Sequence, residues 1–269
     1  MRKKIVLVLV VFSFGVSLAY AGVPLTNLEG VGGVAFNPLA YPANRNADPN
    51  SGASKFFGRP QIGGWRVSLD DSNIDWTTFG VADTLWNRLE LSYGNEKINP
   101  ESGSTIHKNN FGAKLLLLEE TNVLPAISVG SILKDSTIEN GDVDNRGIDF
   151  YIVATKMITK LPVPVLLSGG LLSTKGRVTG VHGFDDKRDE VFFGNIDIIP
   201  LKNVALGFEY RQGPNYGDWK DANYWDAHLA WFVTNNLTLV VAYVDAGDIN
   251  SKDKVGLGNG VVFSAQYAF

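Results

Sequence analysis

From about residue 60 to the end of this 269-residue chain, apolar and polar residues alternate with a period of two, segment after segment, and no stretch sustains a helical period. Successive side chains of an extended strand point to opposite faces, so each segment reads as a strand with one greasy side. Strands are predicted near 258–269, 236–246, 222–233, 202–212, 187–199, 162–174, 146–158, 123–133, 104–119, 86–97, 73–82 and 60–70. Most reach the ~9–11 residues that a tilted strand needs to cross a membrane. Strands of soluble sheets run only ~5–6 residues. Twelve long strands with nothing to cover their edges must close on themselves.

The connections point the same way. Those at Thr234-Asn235, Leu201-Lys202, Thr159-Lys160-Leu161, Thr121-Asn122 and Asp83-Thr84 read as tight, whereas 247–257, 213–221, 175–186, 134–145 and 98–104 are long and polar. Short and long alternate, as in barrels with short periplasmic turns and longer outer loops. Asp70-Asp71-Ser72-Asn73 is the exception, a short turn on the outer side.

The alternation also assigns faces. Trp225, Ala227, Leu229, Trp231 and Val233 oppose Tyr224, Asp226, His228 and Ala230; Val204, Leu206, Phe208 and Tyr210 oppose Ala205, Gly207, Glu209 and Arg211. Leu89, Leu91 and Tyr93 oppose Arg88, Glu90 and Ser92; Trp65, Val67 and Leu69 oppose Arg66 and Ser68; Phe111, Ala113, Leu115 and Leu117 oppose Asn110, Gly112 and Lys114. A lipid face has to be apolar, and a lumen tolerates charge. Strands 146–158 and 162–174 show no clear facing.

The two ends differ from the middle. Met1-Arg2-Lys3-Lys4, an apolar run over 5–18 and Ala19-Tyr20-Ala21 form an export signal, with cleavage expected after Ala21. Residues 22–58 are rich in glycine and proline and read as an irregular segment, periplasmic or plugging the lumen. A further strand over 31–40, with one more not located by the alternation, giving fourteen in all, is the competing reading. Residues 59–269 make up the barrel. With no cysteine, stability cannot come from disulfides, and thiolate chemistry is excluded. Net charge of −4 with mixed signs argues against a nucleic-acid partner. Mean hydropathy of zero fits strands whose two faces cancel.

The last strand places Val261, Phe263, Ala265, Tyr267 and Phe269 on one face and stops on an aromatic residue. It looks like the closing strand of a bacterial outer-membrane barrel, with Tyr267 and Phe269 as the signal read by the barrel-assembly machinery. The expected architecture is all-β: a transmembrane antiparallel β-barrel of about twelve strands in outer-membrane lipid. Trp65, Trp86, Tyr93, Tyr210, Trp231, Tyr243 and Tyr267 read as interfacial girdles.

Further motifs are Ala154-Thr155-Lys156, Ala205-Leu206-Gly207-Phe208-Glu209-Tyr210-Arg211-Gln212 with Pro214-Asn215, Trp219-Lys220-Asp221, Trp225-Asp226-Ala227 and Ala242 through Ile249. With Leu28-Glu29-Gly30 near the start, these make the chain similar to a proteobacterial family of uncharacterised exported proteins, a domain of unknown function regarded as outer-membrane barrels. That resemblance is strongest beyond residue 150 and implies an architecture without an activity.

The lumen-lining candidates are Arg66, Arg88, Glu90, Lys114, Asp197, Glu209, Arg211, Asp226 and His228. Either they line a water-filled channel for small polar solutes, or their balanced charges pair across a narrow, non-conducting interior that serves a structural or surface-interaction role. A third reading, a lipid-modifying enzyme, has only His228 beside Asp226, with Ser264 as the nearest nucleophile. No catalytic residue, cofactor or metal is assigned. Asp142, Asp144 and Asp149, and likewise Asp185, Asp186, Asp189 and Glu190, lack the loop spacing of a calcium site and read as solvated acidic loops.

Overall fold

Hydrogen bonding alone closes this chain. The computed structural model describes residues 25–45, 56–101, 103–138 and 144–269. In it β3 (Gln61–Leu69), β4 (Ile74–Leu85), β5 (Leu89–Asn99), β6 (Ile106–Leu118), β7 (Ala126–Ser136) and β8 (Arg146–Ile158) each pair antiparallel with the next strand. So do β9 (Val165–Gly176), β10 (Phe184–Leu201), β11 (Val204–Arg211), β12 (Tyr224–Phe232), β13 (Leu237–Asp245) and β14 (Asn259–Ala268). β14 then pairs with β3, from Gly260 opposite Leu69 to Ala268 opposite Gln61. The result is a closed barrel of twelve strands. No described helix is long and apolar enough to cross a membrane.

The outer surface is greasy. Phe79, Phe111, Phe150, Leu171, Phe192, Phe208, Trp231, Tyr243 and Phe263 are all exposed and spread around the circumference. Soluble proteins rarely expose contiguous apolar area on this scale. Hydrocarbon is the solvent for this face.

β8 and β9 now resolve. Phe150, Ile152 and Leu171 face out, while Tyr151, Val153, Leu166 and Leu172 face in. Both faces are apolar because the inner one packs on residues inside the barrel, and this hid the alternation. β3 is the reverse of its expected facing: Trp65, Val67 and Leu69 are buried inside, and Arg66 is exposed. Trp65 therefore leaves the girdle set; its indole N–H donates to Thr26 O at 2.6 Å. The expected turn at Asp83-Thr84 lies within β4. The chain reverses instead at residues 86–88, where Trp86 and Asn87 take φ of 50° and 57°, the positive values of a type I′ hairpin. The connection expected at Thr121-Asn122 is longer, spanning 119–125.

Residues 31–40 add no strand to the barrel. The described N-terminal segment lies inside it, with a two-residue ribbon in which β1 (Leu25–Thr26) pairs with β2 (Gly32–Gly33). Asn27 folds the segment on itself, its Oδ1 accepting from the N–H groups of Glu29 and Val31 at 3.0 and 2.9 Å. Gly30, at φ 84°, sits where a Cβ would stand 2.7 Å from the backbone of Gly94. Only glycine allows so close an approach. The expected signal segment 1–21, its cleavage point and Asp142 lie outside the described residues.

Candidate functional site: the plugged lumen

A backbone without regular structure carries polar groups that a membrane barrel must satisfy internally. Here the wall satisfies them. Glu90 on β5 accepts the N–H of Gly32 at 2.8 Å and of Ala43 at 2.7 Å. Lys114, its neighbour on β6, bridges Glu90 at 2.8 Å and donates to Gly32 O at 2.7 Å. Glu209 on β11 accepts from Ala35 and Phe36 at 3.0 and 2.8 Å. Arg211 donates to Asn37 Oδ1 at 3.1 Å and to Phe36 O. Thr155 and Ser128 take the N–H and C=O of Ala40 at 2.8 and 2.5 Å. Carboxylates suit this role because one group can accept two backbone donors in charge-assisted bonds.

Apolar contacts complete the fit. Leu25, Leu28 and Ala35 pack against Trp65, Val67, Leu69, Val240 and Val262, while Val31, Leu39 and Tyr41 pack against Ile132, Val153, Leu166 and Phe193. Two cavities beside the segment are small, about 50 and 30 Å³.

Of the nine predicted lining residues, seven are buried inside: Glu90, Lys114, Asp197, Glu209, Arg211, Asp226 and His228. The last is bracketed, Nδ1 to Asp226 at 2.7 Å and Nε2 to Asp197 at 2.8 Å. Arg66 and Arg88 are not in the lumen. Arg66 faces outward near the 70–73 turn and pairs with Asp75 at 3.0 Å, since the inner face of β3 is taken by apolar packing. Arg88 ends the 86–88 turn, exposed, and donates to Leu116 O at 3.1 Å. The grouping considered for catalysis does not assemble: Ser264 Oγ donates to Gly64 O and accepts from Gln266.

Five charged residues of the lumen escaped the sequence reading. Lys134 bridges Asp149 at 2.6 Å and also meets Glu29; Lys108 bridges Glu96 at 2.8 Å. Lys134 stood one position past the expected end of its strand, and Asp149 lay on a strand of open facing. Lys108 and Glu96 were in phase with Lys114 and Glu90, so alternation alone could have found them. Burial alone would raise the Glu29 carboxyl, but Lys134, then Lys108 and Arg211, hold it at about 2.

The outer mouth is covered by loops 177–183, 212–223 and 246–258. Asp221 organises them, accepting from Val178 N–H at 2.7 Å, Trp219 Nε1 at 2.6 Å and Tyr224 OH at 3.2 Å. Burial pushes its carboxyl up to about 6 despite these donors. Val178 and Thr179 are held at φ 48° and 58°, a left-handed conformation unfavourable to β-branched residues. Thr179 O meets Lys108 Nζ at 3.0 Å, so the outer cover and the inner segment share a cation.

A closed barrel wetted by hydrocarbon outside, with a charged interior filled from its own N-terminal side, defines an outer-membrane β-barrel protein, located in the bacterial outer membrane. The chain belongs to the family described as Protein of unknown function (DUF3034), whose model matches residues 22–266. Among curated proteins nothing matches. Solved structures of similar fold include the KdgM porin, at 15% identity and a TM-score of 0.54 over 78% of this chain and 99% of that one. A second KdgM structure, in complex with disordered oligogalacturonate, gives 17% and 0.53 over 78% and 99%. The NanC porin gives 12% and 0.53 over 79% and 99%.

Proposed function

We propose that this chain is a gated, porin-like passage for small polar solutes, held shut by residues 25–45. The observation that carries the reading is the way the segment is held: its backbone amides end on Glu90 and Glu209, side chains that belong to the wall. Behind a withdrawn segment those carboxylates, with Lys114 and Arg211, would line a wettable path. A permanently closed interior has less use for them, because packed apolar residues in place of buried ion pairs are often neutral or stabilising by ~1–4 kcal/mol. The fold is one that KdgM and NanC, both described as porins, also adopt.

The chain has no cysteine, so a reversible lock can be built cleanly. A Cβ at Gly80 would stand 3.2 Å from Thr26 Cβ, close to the ~3.5–4.5 Å of a disulfide. Thr26→Cys/Gly80→Cys in planar bilayers should be silent when oxidised and show step currents when reduced. Flat traces in both states, from folded protein, would remove the gating claim, as would current through the oxidised form.

The tightness of the filling favours a second reading, a non-conducting barrel acting structurally or through its outer loops; flat traces in both states would select it. Among the described residues, the grouping of His228 and Ser264 does not assemble to support a lipid-modifying activity. On either reading the strand bearing Tyr267 and Phe269 is the element we expect the barrel-assembly machinery to engage.

A further inference from the structure

Three cations of the wall converge on a carboxylate that the wall does not own. Glu29 belongs to the inner segment, yet Lys134 contacts it directly, Arg211 Nη1 lies 3.5 Å away and Lys108 Nζ 3.8 Å away. All four side chains are at most 5% exposed. The wall's own matching is incomplete. Lys108 has Glu96 at 2.8 Å and Lys134 has Asp149 at 2.6 Å, while Arg211 has no other ion pair among the described residues. Glu209, two positions from Arg211 on the same face, is taken by the amides of Ala35 and Phe36, so Glu29 is the carboxylate on which all three cations converge. When the segment withdraws, the point where Lys108, Lys134 and Arg211 converge loses its carboxylate. The open barrel can accept another carboxylate at this point.

The space beside that point restricts which anion. The cavity of about 50 Å³ between segment and outer cover is lined by Glu29, Thr179 and Arg211 but otherwise by apolar or aromatic side chains, among them Phe36, Val67 and Trp76. The indole N–H of Trp76 is buried without an acceptor. A native buried donor without a partner calls for an explanation, and a ligand oxygen would provide one. The wall on this side is uncharged: the inward residues of β13, β14, β3 and β4 are Thr, Val, Ala, Gly, Ser, Gln, Trp and Leu.

We infer that Lys108, Lys134 and Arg211 form the anion site of the open barrel, that Glu29 fills it as a built-in carboxylate when the barrel is closed, and that its ligand is a small monocarboxylate with a compact apolar body. This rests on the gating reading above and names the solute class for it. Ligand carboxylate and Glu29 compete for the same cations, so binding favours the withdrawn state by the ligand's differential affinity for it. The apolar body takes the side of Trp76 and Val67, and the carboxylate takes the side of Arg211.

Benzoate is a suitable probe, benzamide its neutral counterpart and acetate the carboxylate without the body. By titration calorimetry on the detergent-solubilised full chain, Glu29→Gln should bind benzoate at least tenfold more tightly than the native chain does. Benzamide and acetate should show no such gain, and Arg211→Gln added to Glu29→Gln should abolish it. Equal binding of benzoate and benzamide to Glu29→Gln, or a gain that survives loss of Arg211, overturns the assignment. If Glu29→Gln does not fold, the native barrel carrying Ala40→Cys serves: benzoate but not benzamide should speed maleimide labelling of this buried position. Unchanged labelling overturns the proposal. Selective benzoate binding by a barrel that never conducts would sink the gating reading and leave the anion site. Conduction without carboxylate preference would do the reverse.

Discussion

Replacing Glu90 and Lys114 together, as Glu90→Leu/Lys114→Met, should release the inner segment while leaving the barrel folded. Both side chains are fully buried, and the replacements keep their approximate volumes. Either single change strands the other charge in a dry interior, at a cost of about 3–5 kcal/mol. The double change removes both charges, and the β5–β6 ladder, which runs from Leu89–Leu115 to Ile98–Ile106, is untouched. The amides of Gly32 and Ala43 lose their acceptor, whereas Gly32 O keeps the N–H of Leu39 at 3.2 Å. Two orphaned donors at about 1–3 kcal/mol each give roughly 2–6 kcal/mol. That penalty falls on the closed state alone, because a withdrawn segment regains water. Even about 2 kcal/mol shifts the population some 30-fold. Ala40→Cys, fully buried in the native barrel, reports the shift through its labelling rate with a maleimide-polymer. Barrel integrity is read from heat-modifiable migration. A folded double variant labelled within twofold of the native rate would refute the claim that wall carboxylates hold the segment.

Two further outcomes follow from single residues. Asp221 titrates near 6 in the closed cover, above its unfolded value near 3.8. The closed state therefore binds the proton more tightly, and the stability this contributes is full below about 4 and lost as pH rises through about 6, at most about 3 kcal/mol. Hydrogen exchange of 177–183 between pH 4 and 8 should quicken with pH beyond the intrinsic rate, and Asp221→Asn should abolish that extra dependence; a native profile matching the variant's would count against it. At Gly207 an added Cβ would press on His228 Nε2 and Asp197 Oδ1. Gly207→Ala should therefore cost about 1–3 kcal/mol in urea unfolding, and an unchanged midpoint would show that the bracketed histidine adds little.

Alternation made the barrel legible because lipid enforces it on the outer face at every strand. Nothing enforces it on the inner face, whose partner here is a folded segment with its own greasy and polar sides. This is why β8 and β9 could not be phased and β3 was inverted. Trp65, Val67 and Leu69 look like a lipid face, but they are apolar because Leu25 and Leu28 lie against them. Arg66 sits near the outer rim, where a guanidinium paired with Asp75 can reach water, and period-two reading carries no information on depth. Glu90, Lys114, Glu209 and Arg211 were legible as inward charges. Most of their partners in the inner segment were not, since these are backbone amides and carbonyls of residues 32–43, which leave no mark in side-chain chemistry.

The two expected fates of the lumen charges were an open channel wall and pairing across a narrow interior. In the structure these charges pair with one another and with the inner segment, and the reason is geometric. Side chains fill an eight-stranded barrel, whereas sixteen strands leave a channel. Twelve strands leave a lumen too wide for the wall to fill and narrow enough for one irregular chain. That filler brings its own unsatisfied amides and carbonyls, so the wall must offer acceptors and donors at the depths where they fall. The acceptors that bind backbone N–H most strongly are carboxylates, and each carboxylate then demands a cation nearby. Glu90 with Lys114 follows this sequence in full. Around Glu29 the order is reversed: the filler contributes the carboxylate and the wall the cations. On the proposed withdrawal Glu90 and Lys114 would stay paired with each other, whereas Arg211, Lys108 and Lys134 would lose the carboxylate they share, and this asymmetry is why the proposed anion site lies at that end of the segment.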